Sequence, residues 1–360
     1  MIRQLIRRVA NGENLDQADM TLVMEEILEG QASPPQTAAF LMALRLKVET
    51  PDEIAAAAQS VAKHFPRIRA PRDVVVLDRD EINLDEETVA KTCSLNGAET
   101  RTFNISTATA LVAAGGGLTV AKYGARAEST FCGSANVVAS LGVNLDLTHT
   151  EVERGLRQIG LGFLYANLFH TPLAMLTQVR EEIGVRTIFN LVGPLVNPAG
   201  GSRQILGVYL PERCALMADV LKLLGREEAM VIYGQDTLDE LSNTGPTLIY
   251  HLKNGQIRSY ELNPEDVGLT KARPEDISGG GAEGNAAIIR KILDGEQGPR
   301  RDVVMLNAAA AFMVAGAAED FKQGLELAGR SIDSGRARQK LDDLIEFTAN
   351  CGVYQHKDVS

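Results

Sequence analysis

Positive charge is in short supply in this 360-residue chain. Its 36 Lys and Arg face 47 Asp and Glu, for a formal net charge of -11. That balance argues against a nucleic acid as the main partner, because binders of polyanions present basic surfaces. A small phosphorylated ligand stays open, since a few oriented N–H groups, one lysine and a metal can hold it locally. Cysteine is scarce too: Cys93, Cys132, Cys214 and Cys351 stand far apart with no CxxC pair. A zinc site or a disulfide framework is therefore not expected, and the pattern suits buried thiols in a reducing compartment. No apolar run reaches 18 residues and no signal peptide is visible, so the expected setting is cytoplasmic, without a membrane partner. GxSxG, HExxH and Walker A motifs are all missing, and Gly115-Gly116-Gly117 ends a helical pattern instead of opening one, unlike a dinucleotide fingerprint.

What remains is the profile of an ordinary globular protein, with 45% hydrophobic and 23% charged residues. Residues 1 to about 65 read as helices. Leu22, Val23, Ile27 and Leu28 recur at helical spacing up to Gly30, and Phe40, Leu41 and Leu44 give a second face after Pro34-Pro35. Thr50-Pro51-Asp52-Glu53 combines an N-cap, a proline at the first helical position and a capping-box glutamate. Beyond Pro66 and Pro71 the pattern alternates. Val74–Leu77, Leu118–Lys122, Gly162–Tyr165, Gln204–Tyr209 and Met230–Tyr233 read as strands with helices between them, which predicts an α/β sheet. A helix starts at Thr171-Pro172 and stops near Gly184. Lys253-Asn254-Gly255 joins Leu248–Leu252 to Ile257–Leu262 as a hairpin. Gly279-Gly280-Gly281 marks a mobile or tightly turned loop. Three or four helices follow from Asn285, of which Asp302–Ala315 reads as buried.

The most informative stretch runs from Thr102 to Asn136. Two small, polar loops each open a helix, and a strand bearing Lys122 lies between them. Ser106 and Thr107 stand where N-cap hydroxyls belong, ahead of a helical Ala108–Ala114. A helix N-terminus carries unpaired N–H groups and partial positive charge, so two such ends across a lysine suit a phosphorylated anion. Ordinary capping explains the hydroxyls equally well.

Three other features bear on chemistry. Asp239-Glu240, just past the Met230–Tyr233 strand, is a pair of hard oxygen ligands suited to Mg²⁺, or simply a solvated acidic turn. Asn190–Gly200 is an irregular loop rich in Gly, Pro and Asn, whose plainest role is a strand-to-helix connection. Arg180 and Arg186 flank the end of one helix, where they complement its dipole or clamp an anion. His170, near its start, is more often structural at such a position.

Together these segments resemble the anthranilate phosphoribosyltransferase family. The residues that carry the resemblance are Thr102-Phe103-Asn104-Ile105-Ser106-Thr107, Val120-Ala121-Lys122, Gly133-Ser134-Ala135, Gly184–Asn190, the Gly193–Gly200 loop and Leu238-Asp239-Glu240. Asn285-Ala286, Gly295–Pro299 and Leu306–Ala310 extend it over nearly the whole chain. The resemblance implies a nucleoside phosphorylase/phosphoribosyltransferase-like fold: a mixed central sheet flanked by helices in an α/β domain (72–166 and 186–360), with a smaller all-helical lobe (1–70 plus a segment near 168–184). It implies Mg²⁺-dependent phosphoribosyl transfer from phosphoribosyl diphosphate to a small aromatic amine, a step of tryptophan biosynthesis if that amine is anthranilate. A homodimer formed through the helical lobe is implied as well. By position, Gly97, Thr102, Asn104, Ile105, Ser106, Thr107, Lys122, Arg126, Ser129, Thr130 and Ser134 match donor-binding residues. Ser106, Asp239 and Glu240 match metal ligands, and Tyr123, Ala125, Asn167 and Arg180 fall on the acceptor side.

Departures from the family pattern cluster in the site. The glycine-rich Gly-Thr-Gly-Gly-Asp-Gly loop is here Ser94-Leu95-Asn96-Gly97-Ala98-Glu99, so side chains and an anion stand where glycine amides would approach a diphosphate. Lys-His-Gly-Asn-Arg is Lys122-Tyr123-Gly124-Ala125-Arg126, Asn167 replaces a proline, and Asn136 replaces an aspartate. Three readings follow: an anthranilate phosphoribosyltransferase, a paralogue with another acceptor or pentosyl donor, and a non-catalytic binder on the same scaffold.

Overall fold

A computed structural model describes residues 2–65, 67–71, 73–79, 102–124, 133–165, 174–236 and 239–351. The chain opens with four helices, α1 (Ile2–Ala10), α2 (Gln17–Leu28), α3 (Pro34–Lys47) and α4 (Pro51–His64). On α2 the buried face is Met20, Val23, Met24, Ile27 and Leu28. Leu22, expected there, is 41% exposed, because it lies off that stripe on the helix surface. The expected capping box starts α4: the Thr50 hydroxyl accepts the Glu53 N–H at 3.3 Å and the Glu53 carboxylate accepts the Thr50 N–H at 2.8 Å. Glu53 is fully buried and also takes the Leu15 N–H at 2.8 Å and the Lys47 ammonium at 2.9 Å. That one carboxylate ties α4 to α3 and to the α1–α2 turn.

The α/β part then runs β1 (Val75–Arg79), α5 (Ile105–Gly115), β2 (Val120–Gly124), α6 (Ser134–Ser140), α7 (His149–Gln158), β3 (Leu161–Tyr165), α8 (Ala174–Ile183), α9 (Ile188–Val192), β4 (Arg203–Gly207), α10 (Glu212–Leu223), β5 (Glu228–Gly234), β6 (Thr247–Lys253) and β7 (Gln256–Leu262). Four helices close the chain: α11 (Ala282–Leu293), α12 (Pro299–Val314), α13 (Phe321–Asp333) and α14 (Arg336–Ala349). The seven strands form one sheet in the order β3-β2-β1-β4-β5-β6-β7. The run from β3 to β5 is parallel, and β6 and β7 are antiparallel. The hairpin turn is Asn254-Gly255, with φ of 51° and 73°, the left-handed pair that a two-residue type I′ turn requires.

Alternation along the strands divides the core. Ile205, Met230 and Ile232 pack with α5, α11, α12, α13 and α14 on one side. Leu206, Val208 and Val231 face α10 and the four N-terminal helices on the other, and Leu176 of α8 joins that second core. As expected, α12 is deeply buried. The strand order reverses direction at β1 and β4, and in open α/β sheets ligands bind beyond the carboxyl ends of strands at such a point. Asp239 and Glu240, past β5, and the start of α5 meet beside the end of β4.

Candidate active site

Helix α5 supplies one wall. Its N-cap is Asn104, with φ -71° and ψ 74° and no capping hydrogen bond from its side chain. This corrects the expected cap at Ser106 and Thr107, which lie inside the helix. Helical backbone at those positions carries their hydroxyls away from the N-cap geometry. The Ser106 Oγ and Thr107 Oγ1 atoms are buried, and among the described residues neither has a hydrogen-bond partner. Both hydroxyls are therefore open to a partner beyond the described residues at this helix start. Ile105 is fully buried in the core, and its N–H donates to the Phe103 carbonyl at 2.7 Å.

The acid turn supplies the second wall, beyond the end of β5. Asp239 and Glu240 are each only 3% exposed, which removes the reading of a solvated acidic turn. Ser106 donates its backbone N–H to Glu240 Oε1 at 2.9 Å across 134 residues of sequence. The metal-ligand candidates and the helix start are thus one unit. Two features fix the turn. Asn307 on α12 grips the backbone of Leu241 from both sides, taking its N–H at 3.0 Å and donating to its carbonyl at 2.8 Å. Gly207 ends β4 beneath it, where a Cβ would sit 1.7 Å from the Asp239 carbonyl oxygen, so only glycine allows this approach. Nearby, the Tyr233 phenol is pushed up from its usual range by burial and then by Asp236.

A third wall has no local signature in the sequence. Thr102 pairs with Ser278 in an isolated antiparallel bridge, and Phe103 donates its N–H to the Ile277 carbonyl at 3.3 Å. Gly279 is pressed against Phe103, where a Cβ would lie 2.6 Å from its backbone. Gly279 is therefore the close-packed member of a turn laid along the Thr102–Asn104 approach to α5, whereas Gly280 and Gly281 face open space. The signal is present in Gly279-Gly280-Gly281 and Asn285, but no local pattern says which distant segment they meet.

Lys122 sits mid-way along β2, opposite Leu77 of β1 and Phe163 of β3, and is 2% exposed. Ser134 is the first residue of α6, whose N-cap is Gly133. Arg180 lies half-buried in the last turn of α8. Arg186 stacks on the Tyr209 ring at 3.7 Å. The structure corrects the expected Asn190–Gly200 loop: Asn190–Val192 end α9, and the rest leads from that helix into β4, held by Gln204, which donates to the Pro194 carbonyl at 2.7 Å, and by the Asn197 amide, which reaches Asp78 on β1 at 3.5 Å. Tyr123 lies on β2, but its side chain falls outside the described residues, as do Gly97, Ala125, Arg126, Ser129, Thr130, Asn167 and His170.

The donor types fit a hard divalent cation: Asp239 and Glu240 are neighbouring buried carboxylates, Glu240 is bonded to the Ser106 backbone, and the Ser106 hydroxyl has no partner among the described residues, oxygen donors of the kind Mg²⁺ prefers.

Comparison with known proteins agrees with this geometry. Residues 3–65 match the family model "Glycosyl transferase family, helical bundle domain", and residues 86–338 match "Glycosyl transferase family, a/b domain". An anthranilate phosphoribosyltransferase of Syntrophotalea carbinolica is 46% identical over 351 residues, 97% of this chain and 99% of that protein. One of Geotalea uraniireducens is 43% identical over 348 residues, with the same coverage. Among solved structures, the anthranilate phosphoribosyltransferase of Thermus thermophilus superposes with a TM-score of 0.85 at 37% identity, covering 96% of this chain and 99% of that one. The Saccharomyces cerevisiae enzyme in complex with PRPP and Mg gives 0.82 at 25% identity, covering 97% and 98%. The chain belongs to the anthranilate phosphoribosyltransferase family and is, with that family, a phosphoribosyltransferase.

Proposed function

We propose that this chain transfers the phosphoribosyl group of phosphoribosyl diphosphate (PRPP) to anthranilate, with Mg²⁺, in tryptophan biosynthesis. The observation that carries the reading is the Ser106–Glu240 bond, which joins an incompletely satisfied helix start to a buried acid pair at the sheet's switch point. The reaction breaks the bond from the anomeric carbon to the diphosphate oxygen and forms one to the amine nitrogen, with loss of an N–H proton. Negative charge builds on the leaving diphosphate as the sugar gains oxocarbenium character. The Thr107 backbone N–H, the Asn104 side-chain amide, the Ser106 and Thr107 hydroxyls and the Lys122 ammonium hold that diphosphate and stabilise the departing charge. Asp239, Glu240 and Ser106 would hold Mg²⁺, which when bound adds charge neutralisation at the leaving group. Arg180 takes the acceptor's carboxylate and orients the amine for in-line attack. The yeast relative bound to PRPP and Mg supports the donor and ion assignments.

The helical lobe forms a homodimer in this reading. Leu46 and Val48 at the end of α3 are 78% and 65% exposed and offer such a contact an apolar edge. Calorimetry with PRPP and Mg²⁺ tests donor binding, and loss of anthranilate fluorescence tests the transfer. Donor binding without fluorescence loss would favour a different acceptor, the reading that Ala125 and Tyr123 support in place of the family's asparagine and histidine. No heat at millimolar donor would leave a non-catalytic binder.

A further inference from the structure

Asparagine at an N-cap normally turns its side-chain oxygen onto the second or third amide of its own helix. Asn104 does not: its Oδ1 accepts instead from Asn285 Nδ2 at 3.0 Å, on a helix 181 residues away. The assignment of oxygen and nitrogen is fixed by a backbone group. Asn285 is 3% exposed, and its Oδ1 accepts the Gly280 N–H at 2.7 Å. A peptide N–H only donates, so the Asn285 atom facing it must be oxygen. The Asn285 NH₂ then faces Asn104, whose facing atom must accept. Among the described residues no hydrogen bond takes the Asn104 NH₂ group. The glycine turn is itself anchored, by the Gly279 contact on Phe103 and by Arg300, which donates to the Ser278 carbonyl at 2.9 Å.

We propose that Asn285, seated on the Gly279–Gly281 turn, is a positioning residue that sets the Asn104 carboxamide so that its NH₂, not its oxygen, is offered to the diphosphate of the donor. Two consequences follow from one hydrogen bond. The Thr107 N–H is spared capping by the Asn104 side chain, and a further N–H donor is added beside it. A flipped Asn104 would place a carbonyl dipole against an anion and turn its oxygen away from Asn285. The proposal rests on the reading of α5 as the donor site.

The test is a double-mutant cycle of Asn285→Ala and Asn104→Ala, read as KM for phosphoribosyl diphosphate, KM for anthranilate and kcat. Asn285→Ala should raise the donor KM about tenfold, the scale of one hydrogen bond to a charged group, with the acceptor KM moved less than about twofold. In the Asn104→Ala background the same change should add less than about twofold, because its target is gone. An unchanged donor KM, or an effect of equal size in both backgrounds, would overturn it. Should Asn285→Ala fail to fold, amide exchange on the wild-type chain decides. The Asn285 side-chain NH₂ should be protected, with protection lost in Asn104→Ala; unprotected signals would refute the contact. Calorimetry separates the two levels of the reading. Absence of donor heat in the wild type overturns the donor site and the positioning with it, whereas equal donor heat in wild type and Asn285→Ala overturns the positioning alone.

Discussion

Two helices of this chain begin in opposite ways. The start of α4 is closed: Thr50 and Glu53 satisfy each other's amides, and Glu53 has further partners in Leu15 and Lys47. The start of α5 is open: its N-cap side chain is turned away, two of its hydroxyls are orphaned, and its Ser106 amide is taken by an acid 134 residues distant. Both N-cap residues, Thr50 and Asn104, are half-buried, so exposure does not explain the difference. A helix end closed by local residues contributes to stability, and one completed only by distant or foreign groups is available for chemistry. Substitutions at the two ends should therefore trade effects.

The largest effects come from the two glutamates. Glu53→Ala leaves the Lys47 ammonium buried without its partner, and should cost about 3–5 kcal/mol of unfolding free energy. Chemical denaturation measures this, and turnover per folded molecule should not change. Glu240→Ala should lower kcat about 100-fold or more, while losing only about 1–3 kcal/mol of stability through the abandoned Ser106 amide. A Glu240 variant as active as the wild type would end the distinction between the two helix starts.

The hydroxyls should show a crossover. Thr50→Ala removes a working cap and should cost about 1 kcal/mol with no change in KM or kcat. Ser106→Ala deletes a hydroxyl with no partner among the described residues, so stability should hold or rise by about a few tenths of a kcal/mol, whereas the Mg²⁺ concentration for half-maximal rate should rise about tenfold. Thermal unfolding beside Mg²⁺ titrations reads both. Equal stability losses at Thr50 and Ser106 would mean that the Ser106 hydroxyl has a structural partner after all.

The same contrast explains what is legible in the sequence. The α4 start is readable to the residue, because all its parts lie within four positions, and so is the Asn254-Gly255 hairpin. The parallel strands are legible as apolar runs, each buried on both faces of the sheet. The α5 start misleads, since Ser106 and Thr107 have the composition of a cap, and nothing local reveals that Glu240 and Asn285 arrive from 134 and 181 residues away. Asp239 and Glu240 are visible as a pair, but their burial depends on Asn307 and Gly207, which a strand-and-turn reading does not connect to them. Leu22 misleads for a simpler reason: a run of apolar residues resembles a face until its phase is tested.

A third kind of helix end gives the smallest effect. Arg301 lies in the first turn of α12 and Asp333 is the last residue of α13, each at the end where its charge opposes the helix dipole. They answer one another through two hydrogen bonds, of 2.7 and 2.9 Å. The hydrogen bonds from Arg301 hold the Asp333 carboxyl below its usual range. Because the folded pKa is the lower one, this pair stabilises the fold above the unfolded carboxylate pKa of about 3.9, and the contribution disappears as pH falls through the depressed value. Asp333 is largely exposed, so solvent screens the pair and the effect should stay below about 1 kcal/mol. Asp333→Asn should lower stability slightly at pH 7 and remove that part of its decline in acid, as read from urea midpoints between about pH 3 and pH 7. An unchanged acid limb would show that the dipoles, not the ion pair, set the balance at these ends. An end closed by charge would then be no more pH-sensitive than the end of α4 closed by its capping box.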